Sequence, residues 1–171
     1  RSLSIPIFNS DIESKKILKQ KDILNKISKE LRVNFTINET IDFKKLSHIV
    51  FSDKKKLQKL NSIIHPILEI KFKKWCEKQT SKYIIKESAL LYETKNYKFL
   101  DKTILVYAPK KLRVNRIIDR DNKSIELINK VIKNQIPFKE VANKADYIIN
   151  NDKNKLLTPQ VIKLHEELNK L

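Results

Sequence analysis

Residues 3–11 are Leu3-Ser4-Ile5-Pro6-Ile7-Phe8-Asn9-Ser10-Asp11. The apolar run from Ile5 to Phe8, with proline near its start, predicts a short buried strand. Asp11 follows this run at once, and ligands of open α/β sheets bind outside the carboxyl ends of strands. A carboxylate there can accept a proton from a substrate hydroxyl or hold a metal-bound water. It can equally be the N-cap of the next helix, and position alone leaves both interpretations open.

The residues after Asp11 predict a block of helices. Apolar side chains recur at helical spacing through residues 11–79, apart from a polar, β-branched stretch at 33–41 that predicts a loop. Ser52 is a suitable N-cap for a later helix of this block. Because Pro66 lacks the N–H that a helix interior needs, we expect that helix to break at His65 and a new one to start at Pro66.

Three further apolar runs predict strands, at residues 83–91, 103–107 and 147–149. Such nearly continuous apolar runs are typical of parallel strands that are buried on both faces. The predicted helix starts in this half carry proline at a first helical position or a hydroxyl N-cap: Pro109, Ser124, Pro137 and Thr158. Strands separated by helices indicate an α/β fold with parallel pairing.

The composition favours a polyanionic ligand and excludes several kinds of site. The 171 residues carry 37 Lys and Arg against 20 Asp and Glu, a formal charge of +17. This charge suggests nucleic acid, a nucleotide or an anionic membrane, with a solvated lysine-rich surface as the alternative. The sequence has no glycine, so no glycine-rich phosphate loop lies within it. The single cysteine excludes an internal disulfide, and no apolar run reaches the roughly 18 residues of a membrane-spanning helix, so we expect a cytoplasmic protein.

Three of the five arginines lie on one predicted helix face. Arg113, Arg116 and Arg120 are spaced i, i+3 and i+7. In a chain that otherwise uses lysine, this favours bidentate contacts with phosphate or carboxylate groups. Ion pairing with Asp119 or Asp121 is the alternative, and the sequence does not decide between them.

Two glutamates bracket the apolar residues 89–91. Glu87 lies inside a predicted strand, where a buried carboxylate needs a partner or a function, and Glu93 follows that strand. A solvated position at the sheet edge is the alternative. His65, taken alone, is more typical of a structural histidine. Because the three histidines are well separated, we predict no metal site built from side chains of this chain.

Five segments, in this order along the chain, resemble the dephospho-coenzyme A (dephospho-CoA) kinase family. Residues 3–11 are similar to L-G-I-P-V-x-x-[AS]-D, and residues 60–68, LNSIIHPIL, to L-x-x-I-x-H-P-x-[IV]. Residues 87–93, ESALLYE, are similar to [DE]-x-[PA]-L-L-[FY]-E. Residues 112–121, LRVNRIIDRD, resemble Q-x-x-R-x-x-x-R-D, and residues 145–151, ADYIINN, resemble A-D-x-[VI]-I-x-N.

This resemblance implies a P-loop kinase-like fold, in which a parallel sheet is flanked by helices, with an inserted helical substrate domain and a lid. It assigns residues 1–11 and 81–171 to the core, with the lid at about 113–145. Residues 12–80 would form the helical domain that binds dephospho-CoA. The implied activity is the ATP-dependent phosphorylation of the ribose 3'-hydroxyl of dephospho-CoA.

The resemblance also implies roles for individual residues. Asp11 would take the proton of the 3'-hydroxyl as it attacks the γ-phosphate of ATP. Three groups of residues would bind the ligands: Arg113, Arg116 and Arg120 the phosphates, Asn151 the adenine of ATP, and His65, Glu87 and Glu93 the dephospho-CoA. We expect ATP as co-substrate, Mg²⁺ as cofactor, and a monomer with no nucleic-acid or membrane partner.

The sequence departs from the family pattern in two ways. The family begins with a strand, a glycine-rich phosphate loop and a helix, which are not among these residues, so we expect an inactive, truncated portion. Ser4 and Lys95 stand where glycine is common in the family. The alternatives are a basic nucleic-acid-binding module, supported only by the charge, and a related nucleotide kinase, against which the His65-Pro66 and 87–93 motifs argue.

Overall fold

The computed structural model describes residues 3–37, 40–122 and 124–171, and the chain divides into two compact units, Arg1–Ala89 and Leu90–Leu171. The described elements of the first unit are β1 (Ile7–Asn9), α1 (Ser10–Leu18), α2 (Lys21–Leu31), β2 (Thr36–Ile37), β3 (Thr40–Ile41), α3 (Phe43–Ser52), α4 (Lys54–Cys76) and β4 (Ile85–Glu87). Those of the second unit are a 3₁₀ turn (Asn96–Phe99), β5 (Ile104–Tyr107), α5 (Lys110–Asp121), α6 (Ile125–Lys133), α7 (Phe138–Ala142), β6 (Tyr147–Asn150) and α8 (Leu157–Leu168).

The strand pairs confirm the expected parallel arrangement. In the first unit β1 is parallel to β4, and Asn9 lies opposite Glu87. In the second unit β5 is parallel to β6, and Tyr107 lies opposite Asn150. A short antiparallel pair, β2–β3, lies in the stretch 33–41 for which the sequence predicted only a loop.

The four helices of the first unit enclose one apolar core. Each contributes the apolar stripe that its helical spacing predicts, and Ile17, Ile27 and Phe35 are fully buried. The predicted helical stretch 11–31 is in fact two helices, since α1 ends at Leu18 and α2 begins at Lys21. The break turns the chain, so that both helices contribute to the same core.

Strands β4 to β6 are less buried than their apolar sequences predicted. Val106 in β5 is 58% exposed and Ile148 in β6 is 43% exposed. The prediction of burial on both faces is therefore wrong, because in the part of the chain that the structure describes each sheet has two strands and neighbours cover only part of each face. The predicted strand 83–91 is also shorter, since β4 ends at Glu87.

Helix α4 continues through Pro66, so the predicted break at His65 is wrong. An interior proline removes one hydrogen bond and costs about 3 kcal/mol. Buried side chains on both sides of Pro66, among them Ile64 and Leu68, anchor the helix to the core and offset this loss. No helix in the described ranges is long and apolar enough to cross a membrane.

Two predicted N-caps are wrong, and one is confirmed. Ser52 is the last residue of α3, and Asp53 caps α4 by accepting hydrogen bonds from the N–H groups of Lys55 (2.9 Å) and Lys56 (3.3 Å). A carboxylate can accept both of these bonds, and its negative charge is stabilising near the positive end of the helix dipole. Thr158 lies inside α8 rather than at its cap. Ser124 caps α6 as predicted, accepting from the N–H of Leu127 at 3.4 Å.

Ser4 and Lys95, the two positions where the family commonly has glycine, adopt left-handed backbone conformations. Their φ angles are 53° and 59°. Side chains with a Cβ pay roughly 1–2 kcal/mol to occupy this region, which glycine enters freely. The chain therefore keeps the backbone that a glycine would favour, but without the glycine.

Candidate active site

The carboxyl end of the β1–β4 sheet brings Asp11 and Glu87 together. Asn9 ends β1 and pairs with Glu87, which ends β4. Asp11 follows two residues after Asn9, in the first turn of α1. The two carboxylates are close enough that the charge of Asp11 acts on Glu87.

Asp11 is not the N-cap of α1, so the structural alternative raised by the sequence is wrong. The cap is Asn9, whose Oδ1 accepts a hydrogen bond from the N–H of Ile12 at 2.8 Å. Asp11 is exposed, and none of the hydrogen bonds or ion pairs found within residues 3–37, 40–122 and 124–171 uses its carboxylate. The sequence thus assigns capping to one residue and leaves the neighbouring acid available for chemistry.

Glu87 is exposed at the end of its strand, so of the two interpretations left open by the sequence the structure favours the solvated one. Its carboxyl is still partly desolvated by the surrounding protein, and this raises its pKa. The nearby Asp11 charge raises the pKa further, and a hydrogen bond from the Asn9 side chain lowers it. Glu87 is therefore easier to protonate than an ordinary surface glutamate.

His65 lies half-buried on α4, one turn before Glu69. Desolvation lowers its pKa, the Glu69 charge raises it, and the Lys86 charge lowers it. Lys86 and Glu69 form an ion pair at 2.6 Å, and the Lys86 side chain is only 4% exposed. Sequence analysis missed this pair, although a lysine within an apolar strand was the signal that could have revealed it.

The three arginines of α5 have different environments in the second unit. Arg116 Nη2 donates a hydrogen bond to Asn151 Oδ1 at 3.0 Å, which joins two of the predicted site residues. Arg120 donates two bonds to Asp121, at 2.7 and 2.9 Å, as the ion-pairing alternative predicted. The Arg113 Nε is buried and has no hydrogen-bond partner within the described residues.

A shallow, solvent-open cavity of about 290 Å³ lies between the start of α5 and the segment after β6. Its lining combines apolar surface with polar and charged side chains: Pro109, Lys111, Leu112, Asn115, Asp152 and Lys153. Asn151, immediately before this segment, is held by its N–H, which donates to the carbonyl of Tyr107 at 2.7 Å. The cavity therefore adjoins the hydrogen-bonded pair of Arg116 and Asn151.

Glu93 has a structural partner. Its Oε1 accepts a hydrogen bond at 3.0 Å from the N–H of Ile136, in the loop before α7. Within the described ranges, no group of three or more His, Cys, Asp or Glu side chains could hold a metal ion.

Comparison with known proteins identifies the family. A family model described as dephospho-CoA kinase matches residues 1–156. The chain belongs to the dephospho-CoA kinase family. A dephospho-CoA kinase of Fusobacterium nucleatum is 41% identical over 144 residues, which are 84% of this chain and 72% of that protein. The enzyme of Bacteroides fragilis is 32% identical over 168 residues, covering 95% of this chain and 80% of that protein.

Solved structures agree with this assignment to the dephospho-CoA kinase family. Dephospho-CoA kinase from Campylobacter jejuni aligns with a TM-score of 0.67 and 30% identity, over 99% of this chain and 87% of that one. TT1252 from Thermus thermophilus aligns with a TM-score of 0.82 over 100% of this chain and 87% of that one. The TM-score of 0.82 at 24% identity shows a shared fold.

Membership of the dephospho-CoA kinase family confirms the fold class and the class of enzyme expected from the sequence. The chain has an α/β fold with parallel sheets flanked by helices, and the family consists of transferases that use ATP as co-substrate. The ordered motifs were thus the decisive sequence signal, and the charge of +17 was not.

Proposed function

We propose that Asp11 is the general base for the transfer of the γ-phosphoryl group of ATP to the ribose 3'-hydroxyl of dephospho-CoA. The observation that supports this role is that Asn9, and not Asp11, caps α1. Because Asn9 caps α1, the Asp11 carboxylate lies at the carboxyl end of β1 without a hydrogen bond from the described protein groups. Its position in the first turn of α1, directly after β1, is where a base could meet a ligand bound at the carboxyl end of the strands.

The proposed reaction transfers a proton to Asp11 and a phosphoryl group to the substrate. Asp11 accepts the proton of the 3'-hydroxyl, and the oxygen forms a bond to the γ-phosphorus of ATP. The bond between that phosphorus and the bridging oxygen of the β-phosphate breaks, and ADP leaves. The protein's contribution is mostly positioning and charge stabilisation, as is general in phosphoryl transfer.

Arginines of α5 supply the positive charge. The hydrogen bond to Asn151 orients the Arg116 guanidinium, and a preoriented guanidinium loses less freedom on binding phosphate. Arg113 brings a buried N–H that lacks a partner, which an anion would satisfy. The exposed Arg120 side chain would exchange the partly buried carboxylate of Asp121 for phosphate oxygens.

The adenine of ATP is assigned to the cavity beside Asn151. Apolar surface from Pro109 and Leu112 can contact a flat base, and Asn115 offers hydrogen-bonding groups for its edge. This location supports the proposed role of Asn151 near the adenine.

His65, Glu87 and Glu93 are assigned to dephospho-CoA. Glu87 and half-buried His65 belong to the first unit. Glu93 also fixes the loop before α7 through Ile136, so its role combines anchoring with binding. Residues 12–80 are accordingly proposed as the substrate domain, residues 1–11 and 81–171 as the core, and residues 113–145 as the lid.

Mg²⁺ is proposed as the cofactor. The ion prefers oxygen ligands and is usually held by one or two carboxylates together with substrate phosphates and water. Since the sequence predicts no metal site built from side chains, the phosphates of ATP and water would supply most of its ligands. When bound, it would supply positive charge to the phosphates of ATP.

We further propose a cytoplasmic monomer without a nucleic-acid partner. One cysteine in 171 residues is typical of proteins from a reducing compartment. Light scattering should give a mass near 20.3 kDa for a monomer of this chain. The lysine excess is assigned to the solvated surface, so binding to random RNA should be weak at physiological salt.

The proposed activity is tested with the protein expressed from its complete reading frame. Incubation with labelled ATP and a panel of acceptors should label dephospho-CoA at the 3'-oxygen and leave adenosine and AMP unlabelled. Labelling of another nucleotide in preference to dephospho-CoA would overturn the assignment. Omitting Mg²⁺ should abolish the labelling, and activity that persists in excess chelator would contradict the cofactor proposal.

A further inference from the structure

The ion pair between Lys86 and Glu69 connects the two elements that carry the proposed dephospho-CoA-binding residues of the first unit. Lys86 precedes Glu87 on β4, and Glu69 lies one turn after His65 on α4. The Nζ of Lys86 and Oε1 of Glu69 are 2.6 Å apart. This contact therefore links the strand of Glu87 to the helix of His65.

The surroundings of Lys86 show that it is held in one position. Its side chain is 4% exposed, and its Nζ lies 4.2 Å from the centre of the Phe72 ring, in a cation–π contact. Phe72 packs edge-on against Phe8, at 5.0 Å between ring centres. Phe8 is in turn the residue opposite Lys86 in the β1–β4 pair.

An ion pair in such a place is not explained by stability alone. Buried charges lose hydration, and apolar residues of similar size often stabilise a protein as well or better. Here the Lys86 side chain is buried and the Glu69 side chain is 30% exposed, so the pair fixes a buried cation of β4 to a partner on α4 as long as both charges are present. Here the two elements are those whose relative position matters for the substrate.

We propose that Lys86 and Glu69 are positioning residues that fix the position of His65 relative to Glu87 for the binding of dephospho-CoA. This inference rests on the proposed substrate-binding roles of His65 and Glu87. Neither member of the pair belongs to the sequence motifs by which the family was identified. The pair acts through its neighbours and does not itself contact the reacting atoms.

Both charges also act on His65, which provides a readout that a loss of packing would not produce. Desolvation is the main cause that lowers the His65 pKa. The charge of Glu69, on α4, raises this pKa, and the charge of Lys86, on β4, lowers it. Lys86→Met removes the charge that lowers the His65 pKa and leaves that of Glu69, so this pKa should rise. Glu69→Gln removes the charge that raises the His65 pKa, so this pKa should fall.

The test uses NMR titration of the His65 imidazole, assigned with a His65→Ala variant, and calorimetric titration with dephospho-CoA. We expect opposite shifts of the His65 pKa in Lys86→Met and Glu69→Gln. Both variants should bind dephospho-CoA about fivefold or more weakly, with ATP affinity unchanged, as for contacting groups that act as a unit. Lys86→Arg should restore most of the affinity, since it restores the charge.

Lys71→Met is the matched control. Lys71 also lies on α4 and also pairs with a glutamate of another element, Glu13 at 3.0 Å. It should shift neither the His65 pKa nor the affinity for dephospho-CoA. If Lys86→Met fails to fold, the isosteric Glu69→Gln variant still gives the decisive measurement.

Three results would overturn the inference, and they are distinguishable. If His65→Ala and Glu87→Gln weaken binding while Lys86→Met and Glu69→Gln do not, the pair has no positioning role. If His65→Ala and Glu87→Gln bind dephospho-CoA as tightly as the unmodified protein, the proposed substrate site is itself wrong, and the inference fails with it. Shifts of the His65 pKa in the same direction in both variants would also contradict it.

Discussion

Asp11, in the first turn of the helix after β1, acts on Glu87 at the end of the parallel strand β4: after desolvation, the charge of Asp11 is the largest cause that raises the Glu87 pKa. A neighbouring negative charge of this kind favours the protonated form of Glu87. The arrangement is unfavourable for folding in the free protein and useful for a reaction that moves a proton near phosphate groups. It is the geometric basis of the proposed site.

Glu87→Gln should stabilise the protein near neutral pH. Because the folded-state pKa of Glu87 lies above its ordinary value of 4.5, the folded state favours the protonated form. The stability from this preference is present below about pH 4.5 and is lost as the pH rises through the folded-state pKa. Urea unfolding should therefore show a gain for Glu87→Gln at about pH 7 that vanishes toward about pH 4.

The same experiment in an Asp11→Asn background provides the control. Removing the Asp11 charge should reduce the gain from Glu87→Gln without abolishing it, since desolvation is the larger cause. A gain of equal size at all pH values would show that ionisation of Glu87 is not responsible. Because Glu87 is exposed, we expect a modest effect.

Arg116→Lys should raise the KM for ATP about tenfold while the KM for dephospho-CoA stays unchanged. Lysine keeps the charge but cannot reproduce the planar fork that donates to Asn151 at 3.0 Å. Steady-state kinetics with each substrate varied in turn measures the effect. Arg32→Lys is the matched control, since Arg32 is exposed at the end of α2, and it should leave both constants unchanged.

Lys95→Gly should increase the free energy of unfolding by about 1 kcal/mol, because glycine accepts the left-handed conformation without the Cβ penalty. The φ of Lys95 is 59°. Lys130→Gly, inside α6, should instead decrease the stability by about 1 kcal/mol. Chemical denaturation of both variants checks the pair, and a loss of stability at Lys95 would contradict the conformational argument.

Thr103→Val should decrease the free energy of unfolding by about 1–2 kcal/mol, because it removes a hydroxyl that makes charge-assisted hydrogen bonds. The buried Oγ1 of Thr103 donates to Asp146 at 2.8 Å and accepts from the Tyr92 hydroxyl at 3.0 Å. These bonds join the starts of β5 and β6. Thr103→Ser keeps the hydroxyl, so its melting temperature should lie nearer to that of the unmodified protein than the melting temperature of Thr103→Val does.

The local features of the fold could be predicted where short-range chemistry decides them. The Ser124 cap and the strand at Ile104–Tyr107 follow from side-chain chemistry and apolar patterning within a few residues. The continuous helix through Pro66 could not be predicted, because the apolar contacts that sustain it come from distant parts of the chain. The same holds for the exposure of β5 and β6, which depends on how many strands each sheet has.

The site could be predicted only in part for the same reason. Position after a strand pointed to Asp11, and the motif order pointed to its chemistry, but only the structure shows that Asn9 takes the capping role. The pair of Lys86 and Glu69 joins residues 17 positions apart, so a lysine within an apolar strand could indicate a buried charge but not its partner. The different environments of Arg113, Arg116 and Arg120 likewise depend on residues outside their helix.

The most direct test of the central claim is the rate of CoA formation by Asp11→Asn beside Asp22→Asn. Asp22 is the matched control, since it is an exposed aspartate in the first turn of the next helix, α2. With the protein expressed from its complete reading frame, Asp11→Asn should lower kcat by about 100-fold or more, as the loss of a general base does, with the KM for ATP little changed. Asp22→Asn should retain full activity. Equal turnover by Asp11→Asn and the unmodified protein would contradict the account.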